Sequence, residues 1–279
     1  MANTTATNEE LFGKLITAAQ YAAYEQSVAR QLVTVFDAPL NTGKTLAVPV
    51  WDSITAQIIT DEAAATPKNT GTSSVDINLT EHVVMHSVTD MLRDSAYSNV
   101  MAQLGDQSGR AIAESMDTQA FSKFSSLGGS ATAIAVANFG KDDIMDRVAD
   151  LRTNKLSGGF VAVLHPKVAA KLKKSLTAVD SYTASGATAD SILQNYFIAQ
   201  FAGCTVVESP LVPYNGTTGV ATCAVFAPSA IGHAMRGTIG LETQRQAAAR
   251  ATDIVLTAVA GASVLNSAYG FIMNVDLVA

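Results

Sequence analysis

Charge is scarce in this chain. Only 15% of its 279 residues are Asp, Glu, Lys or Arg, against about a quarter in ordinary soluble domains. Cysteine is rarer still, at two residues, so no disulfide scaffold is available. Cys204 and Cys223 sit in apolar, strand-like runs (GCTVVE and ATCAVF). Their spacing fits neither a C-x-x-C pair nor a zinc site, and they read as two small core residues of a reduced chain. The start of the chain lacks a basic segment followed by an apolar one, its first Lys being Lys14. A secretory signal is therefore not expected. No G-x-S-x-G elbow, phosphate loop or dinucleotide fingerprint occurs, and no 20–50-residue repeat is visible.

Apolar residues are abundant, at 48%, with a mean hydropathy of +0.22. That composition excludes a disordered chain. The net charge of −6 and a pI near 5.2 argue against coating nucleic acid by charge. So few charges leave apolar surface that a membrane or a partner subunit must cover. Two long stretches, 209–235 and 254–275, contain no Asp, Glu, Lys or Arg. The first is broken by Pro210, Pro213, Gly216 and Gly219. The second carries Ser263, Asn266, Ser267 and Asn274 with strand-like alternation. Neither reads as a spanning helix, which leaves partner subunits.

Along the chain, Thr7 to Glu10 forms a capping box before an amphipathic helix carrying Leu11, Leu15, Ala18, Ala19, Ala22 and Ala23. Residues 45–51 alternate as a strand, with Pro49 confining it to an edge. After a turn-rich tip, Val75, Ile77 and Leu79 return, giving a β-ribbon of about forty residues with little core of its own. Ser87 and Asp90 start a long helix that runs to about Ser122. Gly105 and Gly109 interrupt it at about 1 kcal/mol each relative to Ala. A short strand-like run follows at 131–139. Asp142 then caps a helix to Leu151, FVAVL at 160–164 is a buried strand, and His165-Pro166 turns into another helix. A third helix is expected over 190–201. Thr205–Glu208 and Ala221–Phe226 read as strands, so 141–230 alternates as an α/β unit. Three strands close the chain at 238–242, 253–259 and 264–275.

No constellation of side chains points to catalysis. His82 and His86 have helical zinc-ligand spacing, but Val83 stands where a zincin needs Glu, and the segment reads as strand. His165 reads as a structural corner and His233 stands alone among small residues. Asp61/Glu62 fall in the ribbon tip, and Asp142/Asp143 open a helix whose dipole explains them. Lys167, Lys171, Lys173 and Lys174 crowd one helix; without interleaved aromatics they read as a solvated face. No catalytic, cofactor or metal site is therefore expected.

The order of parts, and several stretches of wording, resemble one family. TDEAAATPK followed by VDINLTEHVVMHSVTDMLRDSA resembles the extended-loop return strand and spine-helix entry of tailed-phage major capsid proteins, with Ser87, Leu92, Asp94 and Ser95 on the pattern. DDIMDRVADLRTNKLSGGFVAVLHPKVAAKLKK resembles the opening of their axial domain. FAGCTVVESPLVP and ATDIVLTAVAGASVLNSAYGFIM resemble later strands. The resemblance implies an α+β, HK97-type capsid fold. Its parts would be an N-terminal arm (1–40), an E-loop β-ribbon (41–86), a spine helix with the first part of a peripheral domain (87–140), an axial α/β domain (141–235) and closing peripheral strands (236–279).

It also implies a structural, non-enzymatic protein that assembles as hexamers and pentamers into an icosahedral shell. The shell would enclose packaged double-stranded DNA in a virion built in the host bacterial cytoplasm. An arm this short implies a separate scaffolding protein, besides a portal and decoration proteins, and no membrane. Some members cross-link a ribbon Lys to a neighbour's Asn; Lys44, Lys68 and Asn69 read here as ordinary solvated residues. An encapsulin-like nanocompartment of the same fold is the alternative.

Overall fold

The computed structural model describes residues 13, 15–23, 27–40, 43–51, 54–59, 64–68, 71–95, 99–129, 132–179, 200–201 and 203–278. The arm comprises helix α1 (15–23), a single turn α2 (Ala29–Leu32) and strand β1 (Thr34–Asp37). The ribbon strands are β2 (Thr45–Trp51) and β3 (Thr72–Asn78), followed by β4 (Thr80–Thr89). Helices α3 (Asp90–Ser95) and α4 (Asn99–Phe121) lead to β5 (Ile134–Ala135), α5 (Lys141–Thr153), β6 (Phe160–Leu164) and α6 (Pro166–Val179). Short β7 (Gln200–Phe201), β8 (Cys204–Glu208), β9 (Tyr214–Asn215) and β10 (Val220–Phe226) follow. The chain closes with β11 (Ile231–Gln246), β12 (Ala251–Val264) and β13 (Gly270–Asp276).

Three sheets result. One runs β1-β11-β12-β4, another β5-β13-β10-β6-β8-β7 with β9 on β10, and the ribbon pairs β2 with β3. Every residue of β6 is buried, which its unbroken FVAVL run requires of a strand covered on both faces. It pairs in parallel with β8, the crossover passing through α6. Ile144, Val148 and Leu151 of α5 and Val168, Ala169 and Leu172 of α6 bury into the same core. Strand β12 instead buries alternate residues, Ile254, Leu256, Ala258 and Ala260, against Ile112 and Met116 of α4 and Leu15 and Ala19 of α1. The two cores are joined at the end of α4. Phe121 and Phe124 lie 5.2 Å apart, and Phe124 reaches Phe226 at 5.5 Å between ring centroids.

Several expected elements shift. β4 continues through Ser87 to Thr89 because its backbone ladder with β12 runs unbroken to Ala251↔Thr89. The helix therefore starts at Asp90, and the Thr89 hydroxyl, not that of Ser87, accepts from the Leu92 N–H at 3.3 Å. Of the 131–139 run, Ile134–Ala135 pair in parallel with β13, and the Val136 N–H donates to the Asp276 carbonyl at 2.8 Å. Helix α5 begins at Lys141 after Gly140. Asp143, rather than Asp142, closes its first turn by accepting the Gly140 N–H at 2.9 Å.

The expected helix 190–201 lies outside the described residues except at its end. There Gln200–Phe201 form a strand against β8. The stretches read as 238–242 and 253–259 are parts of two long strands, β11 and β12. The last expected strand, 264–275, breaks into the end of β12, a turn at Ser267–Tyr269 and β13. β13 crosses to pair with β10, so segment 236–279 is shared between two sheets. The Thr7–Glu10 box lies outside the described residues.

Candidate assembly surfaces

The arm is held by close backbone approach. Gly105 and Gly109 lie one turn apart on α4, under Leu15 and Ala19 of α1. A Cβ on Gly105 would sit 2.5 Å from the Leu15 carbonyl oxygen, and one on Gly109 would sit 2.9 Å from the Ala19 Cα. Both are distances no methyl group tolerates. The glycines are therefore a seat for the arm helix, gained at a cost in helix propensity.

Ten residues further on, a second fastening follows. Val28 precedes the turn α2 and has no side chain able to cap it. Asp117 of α4 does so from across the interface. Its carboxylate accepts from the Ser27 hydroxyl at 2.7 Å and from the Val28 and Ala29 N–H groups at 2.8 and 3.3 Å. Burial pushes the Asp117 pKa up, while these three donors pull it down.

His82 and His86 face the same helix from β4. His82 bonds the Ser115 hydroxyl through Nδ1 at 2.7 Å and lies 3.3 Å from Gln119 through Nε2. His86 Nε2 lies 2.9 Å from the Ser108 hydroxyl. Four residues apart on a strand they share a face, and each is tied to α4. Among the described residues, no three His, Cys, Asp or Glu side chains come together to hold a metal.

At His165, Nδ1 accepts the Lys167 N–H at 3.3 Å at the start of α6, and the ring stacks on Tyr214 at 5.6 Å. Desolvation, then Lys167, lowers its pKa. Lys173 pairs with Glu208 at 2.8 Å. Both cysteines are free and buried, and desolvation raises each thiol to about 12. A thiol at that pKa carries almost no thiolate near neutrality and is a poor nucleophile. Asp61, Glu62 and Asn69 lie outside the described residues.

Sequence reasoning left His233 as a lone residue. It is fully buried on β11, opposite Val35 of the arm strand and Ala262 of β12. Neither ring nitrogen has a hydrogen-bond partner among the described residues. Desolvation, then the nearby Arg30 and His82, lowers its pKa to about 4. Between the ordinary 6.5 and about 4, the unfolded chain takes up a proton that the folded chain refuses. Folding stability therefore falls as pH falls through that window, and the full penalty is reached below it. Denaturant unfolding near pH 7 and near pH 4 should show a smaller acid loss for His233→Leu than for the parent chain. Equal losses would remove His233 as a source of acid sensitivity.

The ribbon is buried at its base and bare at its tip. Val48, Ile77 and Leu79 bury against Ala38 and Ala234. The Leu79 N–H donates to the Lys44 carbonyl at 2.8 Å, and Arg236 donates to the Gly43 carbonyl. Gly261 of β12 lets the ribbon cross, since a Cβ there would meet Leu79 Cα at 3.2 Å. The ribbon, with little core of its own, is thus seated at its base by β11 and β12.

The β2–β3 ladder stops at Trp51↔Thr72. Beyond it, the legs 54–59 and 64–68 are held by side chains. Gln57 both donates to the Thr66 carbonyl and accepts its N–H, at 3.1 and 3.2 Å, and Lys68 reaches the Thr55 carbonyl at 3.4 Å. Trp51, Ile54 and Ile58 are 69%, 64% and 100% exposed. These exposed apolar side chains make the ribbon a candidate contact surface.

The sequence profile described as phage capsid protein matches residues 72–274. The chain belongs to the phage capsid protein family. No curated protein sequence matches it. Its fold is that of known shells. The capsid structure of the cyanophage P-SCSP1u superposes with a TM-score of 0.68 at 17% identity, over 88% of this chain and 86% of that one. Mycobacterium phage Che8 gives 0.65 at 18%, over 83% and 85%. A virus-like particle from Pyrococcus furiosus gives 0.62 at 15%, over 95% and 99%. Within this capsid fold the arm is packed into both cores, while Trp51, Ile54 and Ile58 leave the ribbon exposed beyond its seated base.

Proposed function

We propose that this capsid-family chain is the major shell subunit of a tailed phage, assembling as hexamers and pentamers into an icosahedral shell around double-stranded DNA. The observation that carries the reading is the ribbon, whose buried base fixes its direction and whose apolar Trp51, Ile54 and Ile58 are exposed among the described residues. In a shell, a neighbouring subunit covers it, and each copy gains apolar burial only on assembly. The net charge of −6 suits a wall that contains DNA without gripping it.

The units 1–40 and 41–86 act as overlapping arms and 141–235 as the ring-forming axial domain. Segments 87–140 and 236–279 form the peripheral frame. A separate scaffolding protein and a portal are the partners this assembly needs, and the virion is its destination. A second reading is a nanocompartment enclosing protein. It is favoured by the match to the Pyrococcus furiosus particle over 99% of that chain. Sedimentation of the purified chain at rising concentration should give rings and closed particles. Particles containing only cargo protein would select the second reading, and a persistent 29.0 kDa monomer would overturn both.

A further inference from the structure

Helices α5 and α6 lie in contact with each other, and both bury their inner faces in one core. Their outward faces carry opposite charge. On α5, Asp142 and Asp146 are exposed at helical i, i+4 spacing. On α6, Lys167 is exposed and Lys171 half-buried at the same spacing, and Lys174 continues the row. Two adjacent helices of opposite sign would normally pair across their seam. These do not. Among the described residues, the ion pairs nearby are Arg147–Asp150 within α5, at 3.1 Å, and Lys173–Glu208, at 2.8 Å. Among the described residues, Asp142, Asp146, Lys167 and Lys171 take no ion-pair partner.

A shallow groove lined by Met145, Val148, Ala149 and Arg152 runs along α5 beside the two aspartates. Met145 is 42% exposed there. An apolar floor with a charged rim is the anatomy of a protein contact.

We infer that the acidic row of α5 in one copy docks against the basic row of α6 in a second copy of this chain. The complementary charges lie on different helices of one subunit. A head-to-tail contact between unlike patches of identical subunits builds rings when the rotation from copy to copy closes, as the shell reading requires. This deepens the shell reading and rests on it. Each exposed pair is weak alone, so the rows act mainly by steering encounter and fixing which helix meets which. The basic row could instead meet phosphate, but the unpaired acidic row beside it repels a polyanion and matches a basic protein face.

The test uses the full chain, in three forms. The parent, the pair Lys167→Glu/Lys171→Glu and the pair Asp142→Lys/Asp146→Lys are each followed by light scattering and electron microscopy. Each reversed pair alone should slow ring formation about tenfold or more at low salt. An equimolar mixture of the two should restore it, which a misfolded chain would not do. Parent assembly should also slow several-fold as NaCl rises from about 0.05 to 0.5 M, because screening shortens the reach of exposed charges.

Parent-like assembly by both reversed pairs, no rescue on mixing, or salt-independent assembly of the parent would each overturn the contact. So would normal assembly by the lysine variant with loss of duplex-DNA binding, which would make the row a phosphate contact. If the parent itself forms no particles, it is the shell reading that fails.

Discussion

Gly109→Ala is expected to destabilise the subunit, although helix propensity alone predicts the reverse. Alanine in a helix interior is better than glycine by about 1 kcal/mol. A single methyl group at 109, however, would sit 2.9 Å from the Ala19 Cα and closer still to the Ala19 carbonyl. Both are backbone atoms, so no rotamer change relieves the contact and α1 must lift away. Overpacking of this kind costs about 1–3 kcal/mol. Lifting α1 also uncovers the layer of Leu15, Ala19 and Ala23 over Ile112 and Met116, and Leu15 alone is worth about 2 kcal/mol of burial. The steric clash and the lost burial both oppose helix propensity, and together they outweigh it. Thermal melting should show a lower Tm, and limited proteolysis should show residues 13–27 cut sooner. A higher Tm with an equally protected arm would mean that α1 is not seated on the glycines.

Trimming the ribbon has the opposite signature. Joining Trp51 to Thr72 through an Asn-Gly turn, in place of 52–71, keeps the ladder and suits a two-residue hairpin. It removes Ile54, Ile58 and Ile59, which are 64%, 100% and 46% exposed and so contribute almost nothing to the single subunit. The variant should melt within a few degrees of the parent, as surface changes within about 0.5 kcal/mol do, and form no shells. A deletion reaching Leu79 would be a poorer test. It would take Ile77, fully buried, and Leu79, 7% exposed, out of the cluster that seats the ribbon. Shells built from the trimmed chain would show that the tip is not what joins the subunits.

The sequence revealed the kinds of elements more readily than their seats. FVAVL, the ribbon strands and the α/β alternation each carry a local signal of periodicity or turn chemistry, and each is present in the fold. The helix start was misplaced because Ser87 offers a capping side chain, while the pull of the β12 ladder on residues 87–89 is non-local. Gly105 and Gly109 looked like breaks for the same reason. Their purpose depends on α1, some ninety residues away. Asp117 capping residues 27–29, and His233 without a partner among the described residues, also depend on contacts distant in sequence and carry no motif. The crossing of β13 from one sheet to the other was hidden because its pairing with β10 is set by residues about fifty positions away and leaves no local signal. The assembly surfaces were legible only as an excess of apolar composition, part of which the fold exposes on the ribbon at Trp51, Ile54, Ile58 and Ile59.

The most direct test is electron cryomicroscopy of particles formed by the full chain. The result expected is a closed icosahedral shell in which Trp51, Ile54 and Ile58 of each copy are covered by a neighbouring copy. Particles with those residues left in solvent, or a preparation that contains only folded monomers at every concentration, would contradict the shell assignment.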